Sequence, residues 1–155
     1  MNKAITLLIA IAMLTSCNKD EDCITLTEQN YLIFGHYYGM CIGEGCVETY
    51  KLTEMKLYED LIDDYSGQNF DFVELDNETF EQVSDLVDFL PNQLLSESET
   101  MFGCPDCADG GGLYIQYSDN GNLQSWRIDQ MQDNVPSYLH SFMDQVNASI
   151  ALINN

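Results

Sequence analysis

The sequence predicts an α+β domain, an antiparallel sheet of about five to six strands built from hairpins, with two helices packed on one face. Three observations lead there. Strand-like runs come in groups joined by short turns, and a helix-period apolar segment follows each group. The strict strand–helix alternation of a parallel α/β fold is absent.

YLIFGHYY (31–38) is aromatic and β-branched enough to form a strand. GMCIGEGC (39–46), with three glycines, reads as a loop. VETYKL (47–52) alternates, placing Val47, Thr49 and Lys51 on one face and Glu48, Tyr50 and Leu52 on the other. MKLYED (55–60) pairs back through a turn at Thr53-Glu54, and FDFVEL (70–75) is a further strand. Asp76 or Asn77 then caps a helix whose Phe80, Val83, Leu86, Val87 and Leu90 share a face, and Pro91 marks its end or a kink. LYIQYS (113–118) and LQSWRID (123–129) flank Asp119-Asn120-Gly121-Asn122, where Asn-Gly signals a tight hairpin. The last helix runs from about Val135 to Ile153, its apolar residues at helical spacing. No internal repeat interrupts this order.

The chain begins MNKAITLLIAIAMLTSC. Lys3 precedes an apolar run from Ala4 to Leu14 broken only by Thr6, which is shorter than the ~20 residues a membrane-spanning helix needs and has the length of a signal-peptide core. LTSC resembles the bacterial lipobox, which implies that residues 1–16 are a signal peptide cut just before Cys17. It also implies that Cys17 carries fatty acyl chains such as palmitate. Two or more such chains anchor a protein stably to a membrane. NKDED follows, and residues 17–30 read as a flexible acidic tether leading to one domain over 31–155. Lys19-Asp20-Glu21 resembles the surface-export signal of Bacteroidota lipoproteins, which implies an outer-membrane protein displayed on the cell surface. YYGMCIGEGCVETYKL, CPDCADGGGLYIQY and the closing strand and helix resemble small lipoproteins of the same phylum. The first of these stretches is similar to a domain of unknown function in which a cysteine–glycine–cysteine loop joins two early strands. These resemblances imply an address and carry no activity with them.

Removing residues 1–16 leaves 139 residues, enough for one domain with a real core. Lys3 leaves with them, so four basic residues face 26 acidic ones, a formal charge of −22. Such a field disfavours nucleic acid and anionic lipid headgroups. It favours a cationic protein or peptide as partner, or else simply keeps a crowded surface protein soluble.

Six cysteines remain to be assigned. With Cys17 acylated and Cys23 odd in the tether, Cys41, Cys46, Cys104 and Cys107 form two close pairs in glycine-rich loops. In an oxidising envelope they read first as structural disulfides, with three connectivities open. The same four residues suit a tetrathiolate zinc site, each loop supplying two ligands. Cys104-Pro105-Asp106-Cys107 also has the thioredoxin look, although that chemistry needs a helix starting at the first cysteine and here Ala-Asp-Gly-Gly-Gly and a strand follow.

Other constellations are thinner. His36 in the first strand and His140 on the last helix are solitary, and no G-x-S-x-G accompanies them. Asp106, Asp109 and Asp119 offer oxygens for calcium without EF-hand spacing. Asp63-Asp64 is a carboxylate pair of a kind common in so acidic a chain. Trp126, Tyr114 and Tyr117 pack on sheet faces, or else form an exposed row suited to sugar or peptide. The expectation is therefore a lipid-anchored envelope module that binds a partner or has a structural role, with no catalytic residue and no cofactor. Its alternative is an envelope thiol-redox or metal-dependent enzyme working through the Cys104–Cys107 loop.

Overall fold

The structure, a computed structural model, describes residues 24–155. The expected signal peptide, the expected acylation site at Cys17, Cys23 and the first part of the expected tether lie outside the described residues. Seven strands form one open sheet: β1 Tyr31–Tyr37, β2 Val47–Leu52, β3 Leu57–Asp60, β4 Phe72–Glu74, β5 Met101–Phe102, β6 Gly112–Asp119 and β7 Asn122–Asp129. Their order across the sheet is β4-β3-β2-β1-β6-β7-β5. Three helices accompany them, α1 Asn77–Val83, α2 Asn92–Leu95 and α3 His140–Ile153.

The α+β class holds, and its details are corrected. The sheet has seven strands rather than five to six, and it is mixed. β5 pairs parallel to β7, with Met101 opposite Arg127 and Phe102 opposite Ile128. A two-residue strand has no alternation to read; Phe102, 4 % exposed, is held there by its place in the core. There are three helices rather than two, because a further short helix, α2, follows Pro91; the single helix expected over 77–90 is itself divided. Asp76 caps α1 by accepting from the Thr79 N–H at 2.9 Å. At Val83 the backbone leaves helical geometry (φ −128°), and Ser84–Phe89 continues as a 3-10 helix. The three-residue repeat of that helix keeps Val83, Leu86 and Phe89 in line toward the core. Pro91 then sits at the N-cap of α2, which buries Leu94.

The alternation read in β2 appears in three dimensions. Tyr50 and Leu52 lie opposite Phe34 and Leu32 of β1, which in turn face Ile115 and Tyr117 of β6. Together with Trp126 and Ile128 of β7 they form a core closed by Val83, Leu94, Phe142, Met143 and Val146 from the three helices. The hairpin β6–β7 turns at Asn120 (φ 49°) and Gly121 (φ 86°), the two left-handed residues a type I′ turn requires.

The opposite face is not left to solvent. Ile33, Tyr37 and Tyr114 form a second, smaller cluster with Tyr31, Val47, Phe70 and Phe72 around it. The β3–β4 connection, residues 61–71, folds back over this face as a compact loop whose ends meet where the Leu61 N–H donates to the Asp71 carbonyl at 3.0 Å. Trp126 and Tyr117 are thus buried in the main core and Tyr114 under the loop, so the exposed aromatic row is not formed by these residues.

Residues 24–30 lie against the Tyr31 end of β1. Leu26 is buried, Ser118 Oγ donates to the Gln29 carbonyl at 2.8 Å, and the Asn120 N–H donates to Asn30 Oδ1 at 2.8 Å. The packed part of the chain therefore reaches back past Tyr31 to Ile24.

Candidate functional site

The loops that follow β1 and β5 carry the four cysteines, and both project from the Tyr37 end of β1. In the first, the chain turns at Gly39-Met40 and a bridge joins Cys41 to Cys46, with Cα atoms 5.5 Å apart. The Tyr38 N–H donates to the Cys46 carbonyl at 2.8 Å, and His36 Nε2 donates to the Gly45 carbonyl at 3.2 Å. In the second, Cys104 bridges to Cys107, with Cα atoms 5.4 Å apart. Of the three connectivities the local one is present. Neither loop is stapled to the other by sulfur, and a sulfur committed to a bridge is not the thiolate that zinc requires.

Carboxylates join the loops instead. Asp106, the third residue of Cys-Pro-Asp-Cys, accepts from the Gly39 N–H at 2.9 Å and from the Tyr65 hydroxyl at 3.0 Å on Oδ2, and from the Gly111 N–H at 3.2 Å on Oδ1. One side chain thereby ties together the β1–β2 loop, the 61–71 loop and its own loop. The Gly39 N–H, helped by Tyr65 and Gly111, holds the Asp106 carboxyl below the usual carboxylate range against the opposing effect of burial. Any Cβ at Gly39 would collide with Asp106 Oδ2, so the tie needs glycine there.

Asp129, at the end of β7, does the same for the far side of the second loop. It accepts from the Cys104 N–H at 3.0 Å and Asn134 Nδ2 at 2.8 Å on Oδ2, and from the Met131 N–H at 2.9 Å on Oδ1. Burial pushes its carboxyl up; the bonds from Met131, Asn134 and Cys104 outweigh that and leave it below the ordinary value.

Arg127, beside it on β7, faces the covered side of the sheet. Its guanidinium lies over Tyr37 at 4.6 Å, with Tyr65 at 5.6 Å and Tyr114 at 5.8 Å, and Nη2 donates to the Tyr65 and Ser66 carbonyls at 2.8 and 3.0 Å. Lys51 on β2 is held likewise, 4.4 Å above the Tyr31 ring with Tyr58 and Phe72 around it. Burial raises the Tyr37, Tyr65 and Tyr114 hydroxyls above their usual value. They stay protonated at neutral pH rather than serving as bases; Tyr65 donates to Asp106 and Tyr114 to the Gly67 carbonyl.

The remaining sequence candidates fall apart spatially. His140 Nε2 lies 2.9 Å from the Gln132 carbonyl and 3.3 Å from that of Val135, fastening the segment before α3. His36 stands 3.7 Å from the Glu48 carboxylate, beside the first disulfide loop. Asp119 sits at the β6–β7 turn, the opposite end of β6 from Asp106 and Asp109, so the three do not form a calcium site. Asp64 accepts from Ser66 and Asn69 within the 61–71 loop, and those bonds hold its carboxyl far below the usual range. Among the described residues no group of three His, Cys, Asp or Glu is placed to hold a metal ion.

Sequence reading missed the tie at Asp106, the anchor at Asp129 and the cage of Arg127. The one available signal was scarcity: among the described residues Lys51, Lys56 and Arg127 are the only lysines and arginines, and each meets a partner within the chain. No known family matches this sequence, and no curated protein matches it.

Proposed function

We propose that this is a lipid-anchored module of the outer cell surface whose domain binds a partner through its disulfide-closed loops. The observation that carries the reading is polarity along β1. Residues 24–30 enter at the Tyr31 end, while both disulfide loops project from the Tyr37 end, roughly 20 Å away at ~3.3 Å per residue. A chain anchored through acylated Cys17 enters the domain on one side and offers these loops from the other. The likeness of LTSC to a lipobox and of Lys19-Asp20-Glu21 to a surface-export signal supports the anchor and the outward display.

Binding rather than turnover fits the chemistry of the loops. The four sulfurs are bonded, the tyrosine hydroxyls are held protonated, and the carboxylates are occupied by backbone donors. Labelling with a fatty-acid analogue tests the anchor: wild type takes up label and Cys17→Ser does not. Protease shaving of intact cells should release the domain, and an unlabelled or protected wild-type chain refutes the reading.

A second reading, an envelope thiol-redox protein, is favoured by one observation: Cys104 and Cys107 are both exposed. Against it, Cys107–Asp109 is a three-residue turn with Ala108 at φ 54°, so no α-helix N-terminus faces the sulfurs to lower a thiol pKa. Reversible exchange of this bridge with a glutathione buffer, together with disulfide transfer to a reduced protein substrate, would establish the second reading. An inert bridge favours the first.

A further inference from the structure

We infer that the β1–β2 loop is the contact point itself, docking Ile42 and Met40 into an apolar pocket of a basic protein. This rests on the binding-module reading and names its surface and the chemistry of its partner. Ile42 is 103 % exposed and Met40 80 %, the two most exposed large apolar side chains of the described chain, and they stand two residues apart. Neither is the by-product of a floppy loop. The bridge Cys41–Cys46, the Tyr38–Cys46 backbone bond, the His36–Gly45 bond and the Gly39–Asp106 tie hold the backbone on both flanks. A loop ordered in advance loses little further freedom on binding, and a rigid apolar knob on a convex loop suits a concave pocket.

Charge and position discriminate among three occupants. A phospholipid surface is disfavoured because the loop projects from the end of β1 opposite the entering chain, and a domain this acidic is repelled by anionic headgroups. A second copy is disfavoured by the same net charge of −21 repeated on both partners. A basic protein is favoured. Asp106 lies against Gly39, the Glu48 carboxylate lies against Gly45, and Asp109 is exposed in the neighbouring loop. The lysines and arginines of the described residues are caged by aromatics or paired with Glu74, so they do not neutralise this rim. An apolar knob ringed by carboxylates is complementary to an apolar pocket ringed by lysine and arginine, which steers encounter as well as register.

The test uses the full lipidated chain displayed on intact cells, with p-benzoylphenylalanine in place of Ile42 as the photo-crosslinking probe. The expected result is one adduct with a basic protein. Purified, that protein should bind the wild-type chain, lose about 30-fold in affinity to Ile42→Ser, a loss typical of a truncated anchor residue, and bind more weakly as salt is raised. An adduct with phospholipid, with a second copy, or with a neutral or acidic protein overturns the inference, as does the absence of any adduct. So does an Ile42→Ser affinity within about twofold of wild type. Because Ile42 touches no core residue, unchanged melting of the variant excludes misfolding as the cause of a loss. Protease shaving of the same cells separates the two levels: if shaving fails, the display reading falls; if shaving releases the domain but no adduct forms, only the docking inference falls.

Discussion

Asp129→Asn is the perturbation that most directly tests how the loops are held. The native carboxylate is 3 % exposed and accepts three hydrogen bonds, two of them on Oδ2. Asparagine fills the same volume and keeps one acceptor, which retains the Met131 N–H. Its amide then points a donor at two other donors, the Cys104 N–H and Asn134 Nδ2. Asn134 is exposed and can turn to water, whereas the Cys104 N–H is part-buried. Leaving one donor unpaired costs about 1–3 kcal/mol, and weakening the second bond adds roughly 1 kcal/mol. The total expected is about 2–4 kcal/mol. At about 3–4 °C per kcal/mol for a domain of this size, the melting temperature at pH 7 should fall by about 6–16 °C.

Acid adds a second readout with a definite sign. The Asp129 carboxyl is depressed in the folded state, so its contribution is present above the unfolded carboxylate pKa of about 3.9 and is lost as pH falls through the lower folded value. The gap between wild type and Asp129→Asn should therefore narrow below about pH 4. Calorimetric melting at pH 7 and pH 3 checks both. A variant within about 1 °C of wild type at pH 7, or a gap that persists undiminished at pH 3, refutes the reasoning.

Other outcomes follow from the same contacts. Replacing Cys104 and Cys107 together with alanine should lower unfolding free energy by about 2 kcal/mol in urea titration, the low end for a disulfide because the bridge spans only three positions in sequence. Mass spectrometry without reductant should find none of Cys41, Cys46, Cys104 and Cys107 open to alkylation, whereas alkylation of all four would refute both bridges. Arg127→Leu removes the donor to the Tyr65 and Ser66 carbonyls and should speed amide exchange across residues 61–71 at least about tenfold while the core of β1 and β6 stays protected. Uniform exchange in both regions would show that the loop is not held there.

Local signals were legible where neighbours in sequence are also neighbours in space. The alternation of VETYKL, the Asn120-Gly121 turn and the apolar stripe of α3 each act over a few residues, so composition and spacing determined them before any tertiary contact. The same holds for the pairing of glycine-rich loops with cysteines. What the sequence left open depends on contacts between distant segments. The two-residue β5 exists because Phe102 is drawn beside Ile128, and α1 gives way to a tighter helix because the core positions Leu86 and Phe89. The three disulfide connectivities were open in the sequence, and the folded chain closes the local one in each loop. Asp106 reaches Gly39 across 67 residues and Tyr65 across 41, and Arg127 reaches Tyr65 across 62. No spacing rule encodes such distances. They arise because β1 lies between β2 and β6, so that the β1–β2 loop and the loop leading into β6, with the 61–71 loop folded over them, arrive at the same end of one sheet.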